Sequence, residues 1–103
     1  MQTITTTIKR EWFHQIVSRK KKVEYREDKP YWRRRLDGIR VPFRLRLING
    51  MRLDSPRLTV TVLKVRRRNG NFELHLGRIR EIEHWDRKKN QPLPPRKRTL
   101  PKR

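Results

Sequence analysis

The chain has 103 residues, 32% hydrophobic and 39% charged, with 30 Lys and Arg against 10 Asp and Glu and a formal net charge of +20. That length fits one small domain, which has to use its apolar residues efficiently because small domains bury a smaller share of their surface than large ones. The lack of cysteine excludes disulfides and thiolate metal sites, and His14, His75 and His84 lie too far apart for metal-ligand spacing, so no metal or cofactor is expected.

A field of this sign attracts polyanions, of which RNA, DNA and anionic membrane are the candidates. Membrane is the weakest, since no run approaches the ~20 apolar residues of a spanning helix and no basic helix has a broad greasy face. The opening Met1-Gln2-Thr3-Ile4-Thr5-Thr6-Thr7 does not read as a signal peptide. Together with the missing cysteines, this points to a reducing, cytoplasmic compartment.

Ile4, Thr6 and Ile8 alternate with Thr5 and Thr7, the period-two pattern of a strand. From Lys9 to about Ser18, the spacing of Trp12, Phe13, Ile16 and Val17 marks one face of a short helix. Lys20 to Arg26 reads as a strand with Val23 and Tyr25 on one side and Glu24 and Arg26 on the other. Pro30 to Leu36 reads as a second short helix, with Pro near its start and Gly38 just past its end.

Val41, Phe43, Leu45 and Leu47 alternate with Pro42, Arg44 and Arg46, a half-exposed strand with a basic outer face. Asn49-Gly50 signals a turn. Leu58 to Val65 is a β-branched run, Asn69-Gly70 a second turn, and Phe72, Leu74 and Leu76 complete a hairpin. Ile79, Ile82 and Trp85 close the apolar pattern.

Residues 1–85 therefore form the folded body, with 22 basic against 9 acidic residues, or +13. Residues 86–103 carry 8 basic residues against one acidic, +7, with four prolines, and read as a disordered basic tail. Five or six strands and two short helices make an α+β fold, a small open β-barrel.

Several motifs then carry a family resemblance. Lys21, Glu24 and Arg26 match the signature Gly-x-Lys-x-x-Glu-x-Arg, with Arg19 where Gly is expected. The match continues through Tyr31-Trp32-Arg33-Arg34-Arg35-Leu36, Asn49-Gly50 and Leu76-Gly77-Arg78-Ile79 to Trp85. Over residues 3–85 the chain resembles the ASCH family, named for a homology region of an activating signal cointegrator. The resemblance implies a PUA-like barrel with helices at its rim, and places Lys21, Glu24 and Arg26 in the cleft between barrel and helix. The Arg19 departure costs on the order of 1 kcal/mol if its φ is positive, unless the turn differs or the side chain gains a phosphate contact.

The candidate nucleic-acid-binding residues are Lys21, Lys22, Glu24, Arg26, Tyr31, Arg34, Arg35, Arg44 and Arg46. A Lys beside a Glu can hold a base edge while an Arg holds a phosphate, and Tyr31 lies among cations where it can stack a base. Trp32 and Leu36, at i and i+4, read as pinning the second helix to the barrel, and Trp12 and Trp85 as packing. Arg44, Arg46 and Arg66 to Arg68 form a candidate outer stripe. The expected function is an RNA-binding module, a monomer, with DNA a lesser candidate.

Two alternatives remain. One is a hydrolase on RNA or a modified nucleoside, a ribonuclease or amidohydrolase, with Lys21 and Glu24 catalytic. Glu24 stands where a small amidohydrolase relative carries Thr, which weakens that transfer. The other is a structural component of a ribonucleoprotein.

Overall fold

The computed structural model describes residues 1–94. Its elements are β1 (Thr3–Thr7), α1 (Arg10–Val17), β2 (Val23–Glu27), α2 (Pro30–Leu36), β3 (Phe43–Ile48), β4 (Arg57–Arg68), β5 (Asn71–Glu83), β6 (Trp85–Asp86) and β7 (Gln91–Pro92). Five strands form one curled sheet in the order β1-β3-β4-β5-β2, a half-barrel, and β6 pairs with β7 separately. β1 runs parallel to β3, which the long α1-β2-α2 excursion between them permits. The other pairings are antiparallel.

The sheet curls because the long β4–β5 ribbon is irregular. Its register shifts between Thr59 and Val60, Val60 and Val62, and Val62 and Lys64, and bulges of this kind bend a strand and tighten its twist. Leu63 lies at the bend against Gly77, where an added Cβ would come within 2.9 Å of the Leu63 side chain. The concave side holds the core. Phe43, Leu45, Leu47, Leu58, Val60, Val62 and Leu74 are covered by Phe13 and Ile16 of α1 and by Trp32 of α2. Each such side chain contributes roughly 1.5–3 kcal/mol when removed from water.

The expected elements are present, with three differences. In β2 the alternation holds, but Glu24 is the buried residue at 4% exposure and Tyr25 faces solvent at 54%. The turn signalled at Asn49-Gly50 opens a longer loop, which reaches to Pro56. Within it, Asn49 bonds back to the Ile8 carbonyl and accepts from Arg10, tying the loop to the start of α1. Third, the boundary expected at residue 85 falls inside the β6–β7 hairpin. There Trp85 packs on Phe13 with ring centroids 4.7 Å apart, and its indole N–H donates to Asn90. That anchor carries the fold past the expected tail start, and residues 95–103 of the expected tail lie outside the described residues.

Arg19 adopts the left-handed conformation, φ 65°, that ends α1. Its N–H donates to the Ile16 carbonyl, and the next two N–H groups donate to Gln15. The strain is offset by a bond from the Arg19 guanidinium to the Gly77 carbonyl at 3.0 Å, which ties the turn to β5. Among the described residues, no helix is long and apolar enough to cross a membrane.

Candidate nucleic-acid interface

β1 and β2 are the two ends of the five-strand order, so the half-barrel has a seam between them. On β1, the Gln2 carbonyl accepts from Arg44 of β3, so by alternation the Thr5 and Thr7 carbonyls point to the free edge. Guanidinium groups satisfy both. Arg26 of β2 donates to Thr7 at 2.9 Å and Arg35 of α2 donates to Thr5 at 2.7 Å. Two arginine side chains thus stand where a sixth strand would hydrogen-bond.

The sequence signature is built into this closure. Glu24 pairs with Arg26 at 2.8 Å through one oxygen and with Lys21 at 3.4 Å through the other. The cluster is mostly covered, with side-chain exposures of 5% for Glu24, 12% for Lys21 and 19% for Arg26. Burying a carboxylate is costly unless it is paired and hydrogen-bonded, and the two cations supply that compensation, which is why this strand turns its acidic residue inward. Arg26 also lies 5.2 Å over the Trp32 ring, and Arg35 lies over Tyr31 and Trp32 at 5.6 and 5.9 Å. The three residues converge as expected, but they pair with one another and line neither described cavity.

Two cavities described among residues 1–94 lie elsewhere. One, of about 540 Å³, is lined by Leu53, Asp54, His84, Leu93 and Pro94. The other, of about 440 Å³, is lined by Arg33, Arg34, Leu36, Asp37, Arg67 and Phe72. Neither borders Lys21, Glu24 or Arg26. At the outer rim of the seam, Lys21 extends over two ring faces, 5.0 Å from the Trp12 centroid and 5.2 Å from Tyr25. Both rings are accessible, at 38% and 54%, as is Tyr31 at 51%. Tyr31 receives a bond from Arg35 at 2.9 Å.

The remaining candidates are dispersed. Lys22 is exposed beside this rim, and its carbonyl accepts from Leu76. Arg34 faces the smaller cavity. Arg44 is exposed on β3, whereas Arg46 is half covered and 3.7 Å from Glu83, with its Nε buried and unpartnered. In the expected outer stripe, Arg67 is taken up by Asp28 and Arg68 by Glu73.

Trp12 and Tyr25 were not among the sequence candidates. Tyr25 was legible in principle, because an aromatic residue alternating with a Glu that needs two cations has to face the other way. Asp28 was also missed. It binds Arg67 and Arg33, and their hydrogen bonds hold its carboxyl below the ordinary 3.8, with Arg67 the larger influence. Among the described residues, no group of His, Asp or Glu has the arrangement of a metal site. No protein-family model matches the chain, and no curated protein matches it.

Proposed function

We propose that this protein is an RNA-binding module that holds unpaired nucleotides along the seam between β1 and β2. One observation carries the reading: Trp12 and Tyr25 are exposed aromatic residues on a strongly basic body, each with the Lys21 ammonium over one face of its ring. Unpaired bases stack on such rings, while nearby cations hold the phosphates. Exposed Lys20 and Lys22, on either side of Lys21 in the chain, have no described ion pair and supply that second part. The signature cluster is the support of this surface, since it fixes Lys21 and anchors Arg26 across the seam. A monomeric, cytoplasmic protein of ASCH type with a PUA-like barrel is the setting this reading assumes.

Hydrolysis by Lys21 and Glu24 is not part of the proposal. The two are paired with each other, and neither lines a described cavity where a substrate could sit.

The test is binding of a labelled single-stranded RNA by fluorescence anisotropy, with matched single-stranded DNA and duplex RNA as competitors. Trp32 and Trp85 are buried at 7% and 6%, so quenching of tryptophan emission reports mainly on Trp12. Base–aromatic stacking contributes about 1–3 kcal/mol, so Trp12→Ala is expected to weaken binding about 5- to 150-fold. Equal affinity for duplex and single strands, with no loss in Trp12→Ala or Tyr25→Ala, would overturn the proposal. Preference for DNA would redirect it.

A further inference from the structure

The smaller cavity lies on the other side of α2 from the seam. Tyr31 and Arg35, at i and i+4, face the seam, while Arg33, Arg34 and Asp37 face the cavity, which Arg67 and Phe72 of the β4–β5 hairpin close. Asp28 organises it. Its carboxylate accepts from Arg33 Nε at 2.7 Å and from Arg67 Nε and Nη2, and its backbone carbonyl accepts from Arg33 Nη2 at 3.0 Å.

One carboxylate thus holds two guanidinium groups side by side. Each guanidinium has five N–H donors in a fixed fork, and in both residues Nη1 takes part in none of the described hydrogen bonds. The two side chains stay open, at 51% and 59% exposure. Arg34 adds a third guanidinium that has no described hydrogen bond or ion pair. Against three positive charges stand Asp28 and, on the lining, Asp37, so the groove keeps a positive excess with donors already in place. Phe72, beneath the Arg67 guanidinium at 5.4 Å, and Leu36 give it an apolar wall.

We propose that this groove binds the phosphomonoester of a nucleotide, with Arg34 and the free Nη1 edges of Arg33 and Arg67 as donors and Asp28 as the positioning residue. Bidentate guanidinium–phosphate geometry suits such a set. A bare phosphate leaves much of the ~440 Å³ empty, and that volume falls within the range of small-ligand pockets. Phe72, Leu36 and the flat Arg67 guanidinium suit the ring and sugar that a nucleotide adds. The phosphomonoester can belong to a free nucleotide or to the 5′ end of an RNA strand. The inference does not rest on the seam reading.

The experiment is a titration followed through the arginine Nε–Hε resonances. The probes are inorganic phosphate, 5′-AMP, and a trinucleotide with either a 5′-phosphate or a 5′-hydroxyl, with sodium chloride at matched ionic strength as control. The Arg33 and Arg67 signals should shift with 5′-AMP at lower concentration than with inorganic phosphate. Arg34→Ala, and Arg34→Gln as a second variant, should weaken that binding at least about tenfold without changing the melting temperature. A phosphorylated trinucleotide binding more tightly than 5′-AMP identifies a strand end, and the reverse identifies a free nucleotide. Shifts matched by chloride, or unaffected by either Arg34 variant, overturn the inference. Trp12→Ala should leave 5′-AMP binding intact; 5′-AMP binding in the groove with no Trp12-dependent binding of single-stranded RNA defeats only the seam reading, and Trp12-dependent RNA binding with no 5′-AMP binding defeats only this one.

Discussion

Replacing Glu24 by Gln tests whether the signature cluster is the closure of the half-barrel. The substitution keeps the shape and removes one charge, leaving Lys21 and Arg26 as neighbouring cations without their shared counter-ion. Breaking a fully buried pair costs about 3–5 kcal/mol, and an exposed pair about 0–1. With Glu24 at 5% exposure but its partners at 12% and 19%, the expected cost lies between these limits, at about 2–3 kcal/mol. Arg26 also loses the carboxylate that aims it at the Thr7 carbonyl, so the seam loosens as well. For a domain of this size each kcal/mol moves the melting temperature by about 4–8 °C, so a fall of roughly 10–20 °C is expected. Circular dichroism melts at neutral pH measure it. Adding Lys21→Met to Glu24→Gln should restore part of the loss by removing one of the two repelling cations, and the double-mutant cycle should show coupling. A fall under about 3 °C with no coupling would mean that water screens the cluster as it screens a surface pair. Unchanged melting with lost RNA binding would mean that the carboxylate meets the ligand itself.

The Asp28 clamp sets a pH dependence. Its folded carboxyl titrates below 3.8 because Arg67 and Arg33 donate to it, so its stabilisation is full above the ordinary value and lost as pH falls through the folded one. Asp28→Asn should therefore melt lower than wild type at pH 7, with the two curves converging below about pH 4; a gap constant down to pH 2, or absent at pH 7, refutes this. Gly50 has φ 125°, and an added Cβ would lie 2.6 Å from Ser55 Oγ, which accepts from Arg52 N–H. Gly50→Ala should cost about 2–3 kcal/mol in a urea melt, whereas Gly38→Ala, at φ 71° with nothing within 4 Å of the new Cβ, should cost only about 1. If about six cations meet phosphates on a single strand, log K against log salt should fall with a slope near −4, and a slope above −1 would leave the charge surplus without that role.

Local patterns in the chain were enough to read the elements and most of the core. β1, α1, α2 and β3 were legible because their signals are local: period-two alternation in Phe43-Arg44-Leu45-Arg46-Leu47, helical spacing of Phe13 and Ile16, and Pro30 opening a helix. The pinning role of Trp32 was legible for the same reason. Convergence of Lys21, Glu24 and Arg26 followed from the resemblance, and their short spacing leaves them few other ways to lie. Tertiary structure decided which way that cluster faces, and so whether it is a recess or a keystone. Tyr25 faces water because Glu24 finds two cations inside, and one of these, Arg26, is held by a carbonyl 19 positions away on β1. Asp28 meets Arg67 across 39 positions, and Arg19 meets Gly77 across 58. Composition cannot assign such partners in a chain with three cations for every acid, because almost any Arg satisfies a carboxylate equally well. Only the path of the backbone, bent by the β4–β5 bulges, brings particular ones within reach, and it thereby decides which cations are paired within the fold.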